Sequence, residues 1–357
     1  MHNPFLSTPT QKPGHGSVHL ALLPPATPVL QNMTYQYPLK LISPAPLTLT
    51  WRGESDHGQQ ESGIHLSRII HTLYLLTYGG GIVAGDEISL SITLAPQTHL
   101  VLLTQGSTKI FKSPRRDLLS CQNMAVSIAP GASLVYLPDP VQPFERSCFR
   151  QEQVYNLLPP GSEGAKRGNL CVLDWASRGR AANGEDWTFW TYASKNEIHL
   201  DPGNDSTKGS KRLLLRDSLL LEVGSEEDNA GSISKRMDGM GVFGTLIIYG
   251  PLFDRLGAFF MDEFKSLPRI GGRGNWDTGS GDEEEPEDNA KKRARAVRQR
   301  RETVDGVLWS SAAVRGCVLV KFGAREVEGA RNWLRSMLEF EGTVVDQFGE
   351  RALMCLR

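Results

Sequence analysis

Nowhere in the 357 residues do 18 apolar side chains run together, so no bilayer-crossing helix is expected. The first residues lack the basic-then-apolar order of a secretory leader, and a soluble cytoplasmic protein is expected. Cysteine is scarce: Cys121, Cys148, Cys171, Cys317 and Cys355 are scattered, odd in number and without a C-x-x-C pair. That excludes a zinc knuckle or a disulfide framework and leaves reduced, buried thiols as the plain expectation. Net charge is also lacking. The 39 Lys and Arg nearly cancel 40 Asp and Glu, so no overall field points to nucleic acid or an anionic membrane as partner.

Catalytic signatures are missing too. There is no G-x-x-x-x-G-K-[ST] phosphate loop, no G-x-S-x-G elbow and no H-E-x-x-H pair among the eight histidines. Gly79, Gly81 and Ala84 satisfy G-x-G-x-x-G/A, and Gly239, Gly241 and Gly244 satisfy G-x-G-x-x-G. Each precedes a strand-like run, 88–94 and 246–249, so no helix N-terminus is there to receive a pyrophosphate. These absences weigh against an enzyme without excluding one, since catalytic groups can assemble in space, and no tightly bound cofactor is expected.

What is present is a long β pattern. From 17 to 221 apolar residues recur with period two, as in Ile88, Leu90, Ile92 and Leu94 alternating with Ser89, Ser91 and Thr93. Similar runs cover 100–103, 126–128, 134–137, the aromatic stretch 187–192, and the pair 213–215 and 219–221. Gly, Pro, Asn and Asp between them suit turns joining antiparallel neighbours. Helical spacing appears at 253–267 and again at 326–340, where Gly342 can stop the second helix. Residues 318–322 and 343–348 flank that helix as strand-like runs. The expected fold is mainly β: a large irregular antiparallel or mixed sheet body with two α-helices in the C-terminal half. Residues 1–16 are expected to be a flexible N-terminus and 17–357 a single domain. Within it, 271–301 passes from Gly-rich to acidic to basic and is read as a solvated insertion, as are polar loops at 53–63 and 203–211.

Several acids sit in Gly- or Pro-bearing turns: Asp86, Asp139, Glu145 and Glu185. Carboxylates projecting from strand ends could hold a divalent cation weakly. The same pattern is what ordinary turn acids capping loops produce.

Four blocks in order carry a resemblance. Residues 79–86 read G-G-G-x-x-x-G-D through Gly79, Gly80, Gly81, Gly85 and Asp86, and 104–109 read T-Q-x-x-T-K through Thr104, Gln105 and Lys109. Residues 137–144 read L-P-D-P-x-x-P-F around Pro138 and Asp139, and 179–185 read G-R-x-x-x-G-E through Gly179, Arg180, Gly184 and Glu185. Together they resemble the urease accessory proteins of the UreD (UreH) family, in a fungal-type form with elaborated loops. Residues 38–41 and 314–322 fit more loosely.

The resemblance implies a metallochaperone and scaffold, without catalysis of its own, that assists nickel insertion into apo-urease. It also implies direct binding to UreF and, through UreF, to the GTPase UreG. Asp86, Asp139 and Glu185 would then line an acidic path for nickel in transit. The alternative is a β-rich interaction module with no direct metal role.

Overall fold

The computed structural model describes residues 12–52, 65–160, 166–202, 211–223, 232–267 and 286–357. The expected loop at 53–63, residues 203–210 of the expected loop at 203–211, the part of the insertion up to 285, and residues 1–11 lie outside the described residues.

In chain order the strands are β1 (His15–Leu23), β2 (Thr27–Tyr35), β3 (Leu39–Ile42), β4 (Leu47–Arg52), β5 (His65–Thr77), β6 (Gly81–Ile82), β7 (Glu87–Leu94), β8 (His99–Leu103), β9 (Thr108–Ile110), β10 (Ser120–Ile128), β11 (Ser133–Tyr136), β12 (Val141–Pro143), β13 (Cys148–Leu157), β14 (Asn169–Ser177), β15 (Thr191–Leu200) and β16 (Arg212–Glu222). A short helix α1 (Ile233–Arg236), β17 (Val242–Tyr249), α2 (Asp254–Lys265) and α3 (Pro286–Asp305) follow. The chain closes with β18 (Leu308–Val314), β19 (Cys317–Ala324), α4 (Val327–Glu341), α5 (Thr343–Phe348) and a 3-10 segment, Glu350–Leu356.

The fold is mainly β, and both expected helices are present as α2 and α4. One sheet runs β16-β15-β13-β10-β7-β1-β2, and a larger one runs β18-β19-β17-β14-β11-β8-β5-β3. In the middle of both sheets the pairing is parallel, not antiparallel as the turns suggested: β7, β10, β13 and β15 stack in register, and so do β5, β8, β11 and β14. From β7 to β15 the longer strands alternate between the sheets, and β6, β9 and β12 form a short parallel ladder joined to β14 of the larger sheet. The centre is therefore a stacked coil, with antiparallel strands closing its ends. Period two looks the same in either pairing, and the Gly and Pro clusters mark corners of the coil instead of hairpins.

Two other local readings change. Residues 187–190 precede β15 as a loop with Trp187 at positive φ, although Trp187 and Phe189 are buried. Residues 213–221 belong to the single strand β16.

The inward rows of the first sheet show where the interior changes character. Ile92, Val126, Tyr155 and Ile198 stack as an apolar row, but Ile88 is followed by Gln122, Gln151 and Ser194, and Leu90 by Met124, Gln153 and Asn196. The space between the sheets thus turns from apolar to polar along the coil. A second core lies on the other face of the larger sheet, where Phe253, Leu256, Phe260, Trp333, Leu334, Met337 and Phe348 cover it. β8, covered on both faces, is buried at every residue, which is why Leu100–Leu103 form a continuous apolar run after His99.

The run 343–348, expected as a strand, is α5. Gly342 at φ 91° turns the chain out of α4, the Glu341 carboxylate accepts from the Thr343 N–H (2.9 Å) and hydroxyl (2.7 Å), and Val344 and Phe348 bury one face. Packing at i and i+4 overrides the β-branched propensity of Thr343, Val344 and Val345.

The basic run, expected to be solvated, forms the C-terminal part of α3 and is tied into the body. Glu263 of α2, 5% exposed, accepts from Arg295 (Nη2 at 2.7 Å) and from Arg298, while Trp333 Nε1 of α4 donates to Glu302 (3.0 Å). Ion pairing thus supplies the anchorage that apolar content could not.

Burial sets one pH response. His99 begins β8 beside Phe348, its Nδ1 without a protein partner, and burial, assisted by the Arg68 charge, pushes its pKa down to about 3. Between pH 6.5 and about 3 the unfolded chain gains a proton that the folded chain does not. The His99 contribution is therefore complete above pH 6.5 and is lost as pH falls, at a limiting slope of about 1.4 kcal/mol per pH unit. His99→Leu is expected to flatten this limb in urea unfolding measured at pH 7, 6 and 5; parallel pH profiles for variant and parent would contradict the assignment.

Candidate functional site

The four sequence blocks meet around the short β6–β9–β12 ladder. Gly81 must be glycine there, because a Cβ would lie 2.6 Å from both the Lys109 carbonyl oxygen and the Phe111 ring. The close approach lets β6 pair with β9. Strands β9 and β12 in turn pair through Thr108 with Val141 and Lys109 with Gln142. Alternation sends Thr108 and Val141 to the interior and Lys109 and Gln142 outward.

On the outer side lies a cleft of about 700 Å³, lined by Gly79, Gly80, Lys109, Gln142, Phe144, Arg178, Gly179, Arg180 and Glu326 among others. The G-R-x-x-x-G-E turn makes one wall. Gly184 closes it at φ 74°, and Glu185 folds back to accept from the Arg180 N–H (3.0 Å), its Nε (2.9 Å) and its Nη2. A Cβ on Gly179 would stand 3.0 Å from the Glu185 carboxylate, so glycine makes room for this pair. Arg180 also lies over the Phe144 ring, 4.0 Å from its centroid. Burial raises the Glu185 pKa, but the hydrogen bonds and charge of Arg180 outweigh it, and the carboxyl is held below its ordinary value.

On the inner side, Thr108 and Val141 face a cavity of about 10 Å³, room for a single water-sized occupant, lined also by Asp139, Asp174, Tyr136, Gln122, Gln151 and Gln153. Asp174 of β14 occupies an inward position where Leu170, Val172 and Ala176 are apolar. It accepts from Gln151 (2.6 Å), Asn196 (2.6 Å) and Ser194, all neutral donors. Burial raises its pKa, and those hydrogen bonds oppose the rise without cancelling it. Asn196 Oδ1 is buried and without a protein hydrogen-bond partner. The polar row continues outward, since Asn196 pairs across strands with Asp217, and Lys321 bonds Asp217 (2.6 Å) and Thr245 (3.3 Å).

Asp139 is the acid of the sequence set that reaches this cavity. Its Oδ2 accepts from the Thr104 hydroxyl (3.1 Å) and the Gly106 N–H (2.9 Å), and its Oδ1 from Arg331 of α4 (3.1 Å). Thr104 also receives the Asp139 N–H (2.8 Å), which accounts for a threonine in the T-Q-x-x-T-K block, whereas Gln105 is exposed. The carbonyl of Pro138 takes the Trp175 indole N–H (2.9 Å). Cys355 lies against Thr104; burial, with the nearby Asp139 charge, raises its thiol to about 12 and keeps it protonated. Asp86 is elsewhere, in the β6–β7 turn, where Gly85 (φ 86°) permits the bend and the Asp86 carboxylate accepts the Val83 N–H (3.0 Å). Glu145 pairs with Lys112 at the surface (2.8 Å).

The three proposed path acids are thus distributed, Asp139 on the inner cavity, Glu185 beside the outer cleft and Asp86 in its own turn. Among the described residues no group of three or more His, Cys, Asp and Glu is placed to hold a metal ion. Asp174, Arg178 and Arg331 were not singled out from sequence. The signal for Asp174 was an acid at an inward position of an apolar strand; for the arginines there was none, because their partners are distant in the chain.

Fold and site define a class first: a stacked-coil β scaffold whose sequence blocks build a basic outer cleft backed by a polar interior. The chain matches the model for the UreD urease accessory protein over residues 14–352 and belongs to that family. It is similar to urease accessory protein 4 of Cryptococcus neoformans var. grubii, 28% identical over 96% of this chain and 94% of that protein. It is also similar to a ureD-like urease accessory protein of Schizosaccharomyces pombe (26%, covering 90% and 92%) and to urease accessory protein D of Oryza sativa subsp. indica (33%, covering 66% and 65%). Its role is therefore accessory to urease. No helix among the described residues is long and apolar enough to cross a membrane.

Proposed function

We propose that this chain acts in the cytoplasm as a metallochaperone and scaffold that helps nickel reach the active site of apo-urease, in an assembly with UreF and, through UreF, the GTPase UreG. Nickel is cargo in this reading, with no resident cofactor. The observation that supports it most is the polar interior of the coil, where Asp139 and Asp174 face one small cavity and Asn196 Oδ1 is left without a protein partner. Carboxylates lower the barrier to a divalent ion in a low-dielectric passage, and a site with few ligands lets the ion leave again. The amides of Gln151, Gln153 and Asn196 each carry an acceptor oxygen, so rotation can exchange a donated hydrogen bond for an oxygen ligand. Asp86 and Glu185 are proposed as outer acids of the same route.

The second reading, a scaffold without a metal role, is favoured by the arginines that already engage Asp139 and Glu185. Supplying the protein to cells that lack their own copy, and measuring urease activity together with nickel bound per urease active site, separates the two. Restored activity with restored nickel is expected. Failure of the wild-type chain to restore activity would remove the functional reading, and restored activity through a variant lacking the interior acids would leave only the scaffold.

A further inference from the structure

The outer cleft carries more positive charge than anything else in its lining offsets. Lys109, Arg178 and Arg180 face it against Glu326 alone among the acids that line it. The two arginine forks are occupied, Arg180 by Glu185 and Arg178 by Glu326 at 2.5 Å, while Lys109 is exposed and has no acidic partner among the described residues. The Arg178 partner is a loose one, since the Glu326 side chain is 65% exposed. Beside the cleft, next to Gly79, Tyr78 is 42% exposed and Tyr37 is 68% exposed, their rings 5.7 Å apart, with Lys40 over Tyr78. Gly79 and Gly80 stand at positive φ with nothing within 4 Å of where a Cβ would be, so the backbone between the tyrosines and the cleft is open to an incoming chain.

We propose that this cleft and its tyrosine rim are a docking surface for an acidic, extended segment of a partner protein. An incoming carboxylate pairs with Lys109 and displaces Glu326 from Arg178, and the apolar part of the same segment packs on Tyr37 and Tyr78. Exposed aromatics beside cations are the composition of interface centres, and charge complementarity selects the acidic partner. A small anion such as phosphate suits the site less, because it makes no use of the tyrosine rim and the Arg180 fork, held by Glu185, is not free to clamp it in two-point fashion. This surface lies on the outer face of the β9–β12 pair and does not depend on nickel passing through the interior.

The test uses the full-length chain and a fluorescent peptide alternating Asp and Glu around one Leu, against the same peptide with Asn and Gln. The acidic peptide is expected to bind, and the amide version to bind roughly tenfold more weakly, the gap shrinking as salt rises. Lys109→Glu should weaken binding by roughly tenfold, whereas Glu326→Gln should strengthen it by roughly threefold because a competitor is removed. Lys112→Glu, outside the cleft, controls for general charge, and circular dichroism confirms that each variant is folded. Absence of binding, equal loss in Lys109→Glu and Lys112→Glu, or weaker binding by Glu326→Gln would overturn the proposal. So would complete competition by inorganic phosphate at concentrations equal to the peptide, which would make the cleft a small-anion site.

Discussion

Glu263→Ala is expected to destabilise the protein by ~3–5 kcal/mol, the range found when one partner of a buried ion pair is removed. Glu263 is 5% exposed and engages two guanidinium groups at once, Arg295 and Arg298, and the Arg298 side chain is itself 9% exposed. Truncation would leave a buried cation without its closest anion. It would also detach α3 from α2, and with it the Trp333–Glu302 bond that ties α3 to α4. Burial already raises the Glu302 pKa, so that carboxylate is poorly suited to take over as the counter-charge. Urea unfolding of Glu263→Ala, Arg298→Ala and the double variant measures the coupling directly. A loss below about 1 kcal/mol, the level of an exposed surface pair, would mean that α3 is not anchored in this way.

Asp174→Asn is expected to separate function from stability. The substitution keeps the shape of the side chain, and the Gln151 and Asn196 amides can rotate to match it. Because burial raises the folded pKa of Asp174, its contribution is most favourable below the unfolded carboxyl value and is lost as pH rises through the folded one. Above the unfolded carboxyl value the acid is therefore a cost to folding, and at pH 7 the asparagine variant should be at least as stable as the parent. Urease activation should nonetheless fall by roughly tenfold or more, equivalent to ~1.4 kcal/mol in the barrier to ion passage, since the interior loses a carboxylate. The opposite pattern, an unstable variant that still activates urease fully, would make Asp174 a structural group.

Much of this was legible in the residues. The period-two runs placed the strands, and the 253–267 and 326–340 stripes placed α2 and α4, because both periodicities follow directly from which face is buried. The parallel pairing was not legible, since register and direction depend on which strands neighbour each other in space. Nor was α3, whose stability comes from Glu263, more than 20 residues earlier in the chain, and not from its own apolar content. At the site, the glycines of the G-G-G and G-R blocks could be recognised, yet their purpose appears only in contacts: Gly81 against the Lys109 carbonyl, Gly179 against the Glu185 carboxylate. The turn acids illustrate the limit of spacing. Sequence placed Asp86, Asp139 and Glu185 alike in turns, but their partners differ, a backbone N–H for the first and arginines for the other two. Asp174, with only neutral donors around it, stood within a strand and gave no turn signal.

The most direct test of an ion route through the coil is the nickel bound per urease active site in cells carrying Asp174→Asn in place of the wild-type chain, with co-purification of UreF scored from the same cells. The route predicts urease that is nickel-poor while UreF is still retained. Full nickel occupancy with the variant would contradict it.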